Sequence, residues 1–201
     1  MLNVNIAVLV SGSGTNLQAL IDAQASGILK SGKIVLVLSS NPEAYALTRA
    51  ETAGIPTAIV PKKSCDSKTE FEEVILNCLT DYGVELIVLA GFMNILSANF
   101  VDKWPRRIIN VHPSLIPSFC GEGFYGLNVH KAALAKGVKV TGATVHFVNE
   151  IPDGGEIILQ KSVPVLEEDT PETLQKRVLE KAEWKLLPYA VEMVSNDILK
   201  G

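Results

Sequence analysis

Residues 5–17 read NIAVLVSGSGTNL, and the fold follows from how that stretch is built. From Asn5 to Val10 the chain is a continuous apolar run, the pattern of a strand covered on both faces. Gly12 to Gly14 then turn it into a helix expected from Thr15 or Asn16 to about Ala25. A buried strand running through a glycine turn into a helix is the opening unit of an open α/β sheet.

Working outward, the same alternation continues. Ile34 to Leu38 reads as a second buried strand, closed by Ser39-Ser40-Asn41-Pro42. A helix is expected around Ala44 to Ala53, ended by Gly54 and Pro56, then a short strand at Thr57 to Val60. Thr69 to Tyr82 is amphipathic, with Phe71, Val74, Ile75, Cys78 and Leu79 on one face. Glu85 to Ala90 and Arg107 to Val111 are further buried strands. Such βα units imply a mostly parallel sheet with right-handed crossovers. After residue 138 two strands, Val140 to Val148 and Glu156 to Val163, flank the turn-rich Asn149 to Gly155, so an antiparallel addition is expected. Thr170-Pro171-Glu172 opens a long closing helix, with a kink or split expected at Pro188. The reading is one α/β domain over 1–201: a twisted, mostly parallel sheet flanked by helices, with an antiparallel C-terminal addition.

Bulk properties narrow the function. The 201 residues are 47% hydrophobic and 20% charged, with a net charge of −4. That balance suits a globular domain and argues against wholesale binding of nucleic acid or a membrane surface. An anionic ligand must therefore be held by a local site. No apolar run approaches the roughly 18 to 20 residues of a membrane span, and the first residues lack a secretory leader pattern. Cys65, Cys78 and Cys120 form neither a CxxC pair nor a disulfide framework. A cytoplasmic setting is expected.

Two stretches carry chemistry. Ser11-Gly12-Ser13-Gly14-Thr15-Asn16-Leu17 sits where unpaired N–H groups and the positive end of a helix dipole can take a phosphate. Position 17 lacks the third glycine of a dinucleotide loop, and Ser39-Ser40-Asn41 stand where a ribose-binding acid would be. No Gly-Lys-Ser/Thr is present, so a terminal monophosphate suits the turn best; a plain βα turn with a helix cap is the simpler alternative. Further on, Asn110-Val111-His112-Pro113 closes a strand. Residues i and i+2 share a face, so the carboxamide and imidazole emerge together. Ile151-Pro152-Asp153-Gly154-Gly155 presents an acid from a loop. A carboxamide donor, a tunable imidazole and a carboxylate suit acyl transfer to an amine. Spacing alone does not bring Asp153 to the other two. Three scattered histidines make no metal site: His146, on the same strand face as Thr144, reads as a core histidine with support of the site as the alternative, His130 as a helix cap or surface residue, and Cys120 as a buried or incidental loop thiol.

Taken together, GSGTNL at 12–17, LAGFM at 89–93, INVHPSLIP at 109–117, VHFV at 145–148 and DGGEIILQ at 153–160 resemble the glycinamide ribonucleotide formyltransferase family of purine biosynthesis. The resemblance runs in order over nearly the whole chain. It implies 10-formyltetrahydrofolate as co-substrate, glycinamide ribonucleotide as acceptor, no metal, and a monomer or weak homodimer. It places the catalytic trio on Asn110, His112 and Asp153 and the phosphate turn on Gly12, Ser13, Gly14, Thr15 and Asn16. Glu183 matches the acid that holds the acceptor's ribose hydroxyls. The folate pocket falls on Phe92, Met93, Asn94, Ile95 and Leu96, a loop around Thr141, Gly142, Ala143 and Thr144, and the stretch Val148 to Asp153. By the same resemblance residues 1–100 mainly serve the ribonucleotide and 101–201 catalysis and folate.

Two positions depart from the family pattern. Asn94 and Lys68 stand where relatives often carry arginine, and lysine is the weaker bidentate partner. Arg107 is a further candidate cation, a solvated surface residue being the equal alternative. In the implied mechanism the amine attacks the formyl carbon, and Asn110 and a cationic His112 stabilise the oxyanion. Asp153 keeps that imidazole charged or removes the ammonium proton through a water. A formyltetrahydrofolate hydrolase is expected to carry a regulatory domain before the first strand, and a methionyl-tRNA formyltransferase a basic C-terminal RNA-binding domain. A non-catalytic nucleotide-binding module would leave Asn110, His112 and Asp153 without a role.

Overall fold

The computed structural model describes residues 3–201. Seven strands form one sheet in the order β3-β2-β1-β4-β5-β6-β7. They are β1 (Val4–Val10), β2 (Gly32–Ser39), β3 (Thr57–Ile59), β4 (Leu86–Leu89), β5 (Ile108–His112), β6 (Val140–Phe147) and β7 (Ile157–Pro164). β1 to β5 are mutually parallel, whereas β6 runs antiparallel to β5, and β7 to β6. The parallel sheet and its antiparallel addition thus stand as expected.

The apolar run of β1 is explained by its two faces. Val4, Ile6, Val8 and Val10 join one buried cluster with α1 (Thr15–Ala25), α2 (Tyr45–Thr52) and α5 (Leu127–Lys136). Ala7 and Leu9 join a second cluster with α3 (Lys68–Asp81) and the four-residue α4 (Ala98–Val101). Neither face of the strand meets water, so no polar alternation is needed. Phe71, Ile75 and Leu79 of α3 are buried under β1 and β4, and truncating a core phenylalanine to alanine costs about 3–5 kcal/mol.

The closing segment departs from expectation. Thr170 caps α6 (Pro171–Val178) in a capping box with Thr173. The helix is then interrupted by a π-helical turn, Leu179–Glu183, before α7 (Trp184–Lys200). Pro188 lies inside α7, so the interruption falls before it rather than at it. As the fifth residue of α7, Pro188 lies past the first turn and leaves the Trp184 carbonyl without its usual intrahelical donor. The region 141–144, a loop by the resemblance but part of the strand expected from Val140 to Val148, is the interior of β6 and pairs with β5 and β7.

Candidate active site

The strand order reverses direction between β1 and β4, which opens a crevice at the carboxyl ends of the strands. The glycine turn follows β1 there, and residues 91–97 follow β4. The two segments are tied: the Met93 N–H donates to Ser11 Oγ at 3.0 Å, and the Ser11 and Ser40 hydroxyls are 2.8 Å apart. β5 is two strands from β1, about 10 Å, so the turn and Asn110-Val111-His112 border one opening.

Gly14 caps α1 with φ 72°, and no side chain caps the helix. A Cβ there would lie 2.6 Å from the Ala46 Cβ, so close packing against α2 also requires glycine. The carbonyls of Gly12 and Ser13 are held by the Ala46 N–H and by Arg49 Nε. The first intrahelical bond runs from the Gln18 N–H to the Gly14 carbonyl, leaving the N–H groups before it without helical acceptors. The loop is rigid and donor-rich, as an anion cradle must be. The Asn16 side chain does not face that cradle: its Nδ2 donates to Glu183 Oε2 at 2.7 Å, in a buried pair.

On β5, Asn110 and His112 share a face with Thr144 and His146 of β6, which sit opposite them in register. Asp153 folds over this face with φ 56°, the left-handed region that aspartate tolerates better than most residues. Its Oδ2 lies 3.4 Å from His112 Nδ1, and its Oδ1 lies 3.6 Å from His146 Nε2. The Gly121 N–H donates to Oδ2 at 2.8 Å. A Cβ on Gly155 would sit 1.7 Å from the Phe147 carbonyl oxygen, so the loop closes this tightly only with glycine there.

Hydrogen bonding defines the ring orientations. His146 Nδ1 is 2.7 Å from the Phe147 carbonyl oxygen and therefore donates. When the ring is neutral its Nε2 accepts from Asn110 Nδ2, 3.2 Å away, which leaves the second Asn110 N–H free for a ligand oxygen. His112 Nε2 is 2.9 Å from the Phe119 carbonyl and donates to it, so Nδ1, facing Asp153, is the nitrogen that takes up a proton. Burial holds the His112 pKa below its ordinary value of 6.5, against the upward pull of Asp153 and the Phe119 carbonyl. That burial works against the cationic His112 expected during the reaction, and Asp153 works for it. Burial pushes the Asp153 carboxyl up, but the His146 and His112 imidazoles, when protonated, and the Gly121 N–H together leave it below its ordinary value.

Other expected residues fall in different places. Arg107 precedes β5 at its amino end, roughly 16 Å of strand from His112. Its guanidinium bonds the Glu85 carbonyl, so it is withdrawn from the site. Lys68 starts α3 on the sheet face opposite α1 and lies 3.9 Å from Glu72, in a groove of about 470 Å³ with Ser97 and Lys103. Phe92 and Val148 pack against the α3-side cluster, on the same face as Asn110, while Met93 and Ile95 are exposed. Ala143 points into the opposite core, and Thr144 Oγ1 is spent on Ser114, Ile116 and Gln160; neither offers its side chain to a ligand.

The remaining titratable groups are less legible in the sequence. His130 is wholly buried on α5 and is neither cap nor surface residue; burial, then the charge of His112, lowers its pKa to about 4. Cys120 has its thiol pKa raised by burial and by Asp153, which does not favour a nucleophile. Among the described residues no group of three or more His, Cys, Asp or Glu gathers to hold a metal, and no helix is long and apolar enough to cross a membrane. A cleft of about 480 Å³ between α1 and α7, with Thr15, Arg49, Trp184 and Tyr189 on its walls, excludes Asn110, His112 and Asp153.

An open α/β sheet with a donor-rich turn and an Asn–His–Asp cluster on one carboxyl edge has the build of a small-molecule transferase. Comparison with known proteins narrows the class. The formyl transferase family model matches residues 4–191. A Haemophilus influenzae phosphoribosylglycinamide formyltransferase is 41% identical over 97% of this chain and 89% of its own length. A glycinamide ribonucleotide transformylase of solved structure from Symbiobacterium toebii superposes with a TM-score of 0.91 at 41% identity, covering 97% of this chain and 89% of that one. The trifunctional purine biosynthetic protein adenosine-3 of Gallus gallus is 49% identical over 96% of this chain, which spans only 18% of that protein's length. The chain belongs to the phosphoribosylglycinamide formyltransferase family.

Proposed function

We propose that this protein transfers the formyl group of 10-formyltetrahydrofolate to the amine of glycinamide ribonucleotide, giving formylglycinamide ribonucleotide and tetrahydrofolate in de novo purine biosynthesis. The observation that carries the reading is the meeting of Asp153 with His112 and Asn110 beside a turn fit for a phosphate. The acceptor phosphate sits on the N–H groups of Gly12 to Asn16, with Glu183 toward its ribose. The folate lies against Phe92 to Leu96, the start of β6 at Thr141 and Gly142, and Val148. Residues 1–100 mainly serve the ribonucleotide and 101–201 mainly catalysis and folate.

The amine attacks the formyl carbon, and the carbonyl electron pair moves to oxygen, where Asn110 donates its free N–H. The ammonium nitrogen formed by the attack loses a proton to His112 Nδ1, and the imidazolium is held by Asp153. The oxyanion then collapses and breaks the bond to folate N10, which takes the proton from His112. His112 itself reaches the oxyanion only by exchanging its bond to the Phe119 carbonyl. The steps are general acid–base and oxyanion catalysis and need no metal. The protein acts in the cytoplasm as a monomer or weak homodimer, without nucleic acid or membrane.

An assay of the purified protein with 10-formyltetrahydrofolate, with and without glycinamide ribonucleotide, tests this. Acceptor-dependent release of tetrahydrofolate with formylated product is expected. Release without acceptor would make it a hydrolase, and no turnover would leave a binding module.

A further inference from the structure

Asn16 and Glu183 are 167 residues apart, yet each is more than nine-tenths buried and they share a 2.7 Å hydrogen bond. Asn16 is the second residue of α1, in the turn that offers N–H groups to a phosphate. Glu183 ends the π-helical turn between α6 and α7. A π turn adds one residue to a helical repeat and rotates the succeeding helix by about a quarter-turn, a feature found often at functional sites. Asn16 Nδ2 is the donor to Glu183 Oε2, while Asn16 Oδ1 is enclosed and has no hydrogen-bond partner among the described residues. Two acceptor groups, an amide oxygen and a carboxyl, therefore share one closed spot beside the turn. Neighbouring hydroxyls, as on a ribose, supply donors in matching number.

The geometry points to Asn16 as the positioning residue of the acceptor's sugar site: from within the phosphate turn its side chain holds Glu183, and so sets the spacing between phosphate and sugar. This rests on the phosphoribosyl acceptor proposed above. The backbone N–H of Asn16 belongs to the phosphate cradle and its side chain to the acid, so the two functions separate by substitution. Burial pushes the Glu183 pKa up to about 7, and the Asn16 bond pulls it down, consistent with a donor that favours the ionised acid.

The test is calorimetric titration of wild type, Asn16→Ser, Glu183→Gln and the double variant with ribose 5-phosphate and, separately, inorganic phosphate. Asn16→Ser is expected to weaken ribose 5-phosphate about tenfold and inorganic phosphate less than twofold, because the loss of one hydrogen bond to a charged group acts on the sugar alone. The double variant is expected to bind no worse than Glu183→Gln, since Asn16 acts through that acid. In the transfer assay the acceptor KM rises and the folate KM does not. Should Asn16→Ser not fold, the neutral Asn16→Ala, which cannot donate at all, is expected to give the same split. Equal weakening of both probes, or additive losses in the double variant, would show a structural staple and overturn the proposal. If wild type binds ribose 5-phosphate no better than inorganic phosphate, the phosphoribosyl reading itself fails and this proposal with it.

Discussion

Asp153 and Glu183 are two enclosed carboxylates, one folded over β5 and β6 and the other held against the first turn of α1, and their surroundings move them in opposite directions. Burial raises both, but Asp153 has two imidazoles and a backbone N–H to hold its charge and ends below its ordinary value. Glu183 has one carboxamide and is pushed up to about 7. Partners rather than depth decide the outcome. One acid is built to stay charged beside a proton-accepting histidine, the other to receive hydroxyl hydrogen bonds at little electrostatic cost.

The largest effect expected of this contrast is on turnover. Asp153→Asn is expected to lower kcat by about 10³-fold, within the usual range for a lost acid–base partner, with acceptor KM little changed. Glu183→Gln is expected to do the reverse, raising acceptor KM about tenfold with kcat within a few-fold. A Glu183→Gln loss confined to kcat, seen in steady-state kinetics, would dissolve the distinction.

Stability against pH should separate them next, with opposite signs. The Asp153 pKa is depressed, so its contribution is present above the unfolded value, 3.8, and lost as pH falls through the folded one. Asp153→Asn should therefore be destabilised at neutral pH, the gap to wild type closing below about pH 4. The Glu183 pKa is raised, from 4.5 to about 7, so stability is fully present below 4.5 and lost as pH rises to about 7. Glu183→Gln should melt higher than wild type above pH 7, by on the order of 3 kcal/mol, and equal it below pH 4.5. Thermal melts from about pH 2 to 8 check both, and parallel curves would refute the assignment.

Gly155→Ala is expected to disturb only the Asp153 side. Its Cβ would collide with the Phe147 carbonyl, so kcat should fall at least tenfold, while ribose 5-phosphate affinity stays within twofold. The smallest effect belongs to Arg107→Ala. Set at the amino end of β5 against the Glu85 carbonyl, it should change kcat/KM by less than about twofold for either substrate. A larger loss would return Arg107 to the site.

The glycine turn is legible because strand, turn and helix are contiguous, and the i, i+2 rule is enough to pair Asn110 with His112. His146 reads as a core histidine; it is buried, but register with β5 also sets its ring against Asn110. His130 reads wrongly as a cap or surface residue, although helical periodicity holds a signal: it lies three and four residues before Ala133 and Leu134, which face the core. Arg107 looks close because it is near His112 in sequence, but an extended strand separates its ends. Residues 141–144 look like a loop only by resemblance, whereas their alternation already suits a strand.

The sequence by itself determined the α/β alternation, the parallel core with its antiparallel edge, the donor-rich turn and the chemical kit of Asn110, His112 and Asp153. These depend on short-range pattern: apolar runs, glycine conformation and strand periodicity. Only the tertiary structure decided that Asp153 reaches both His112 and His146, that burial lowers the His112 pKa, and that Asn16 turns from the phosphate to Glu183. Those facts depend on distances between residues remote in the chain and on the solvent that packing removes, and no local pattern encodes either.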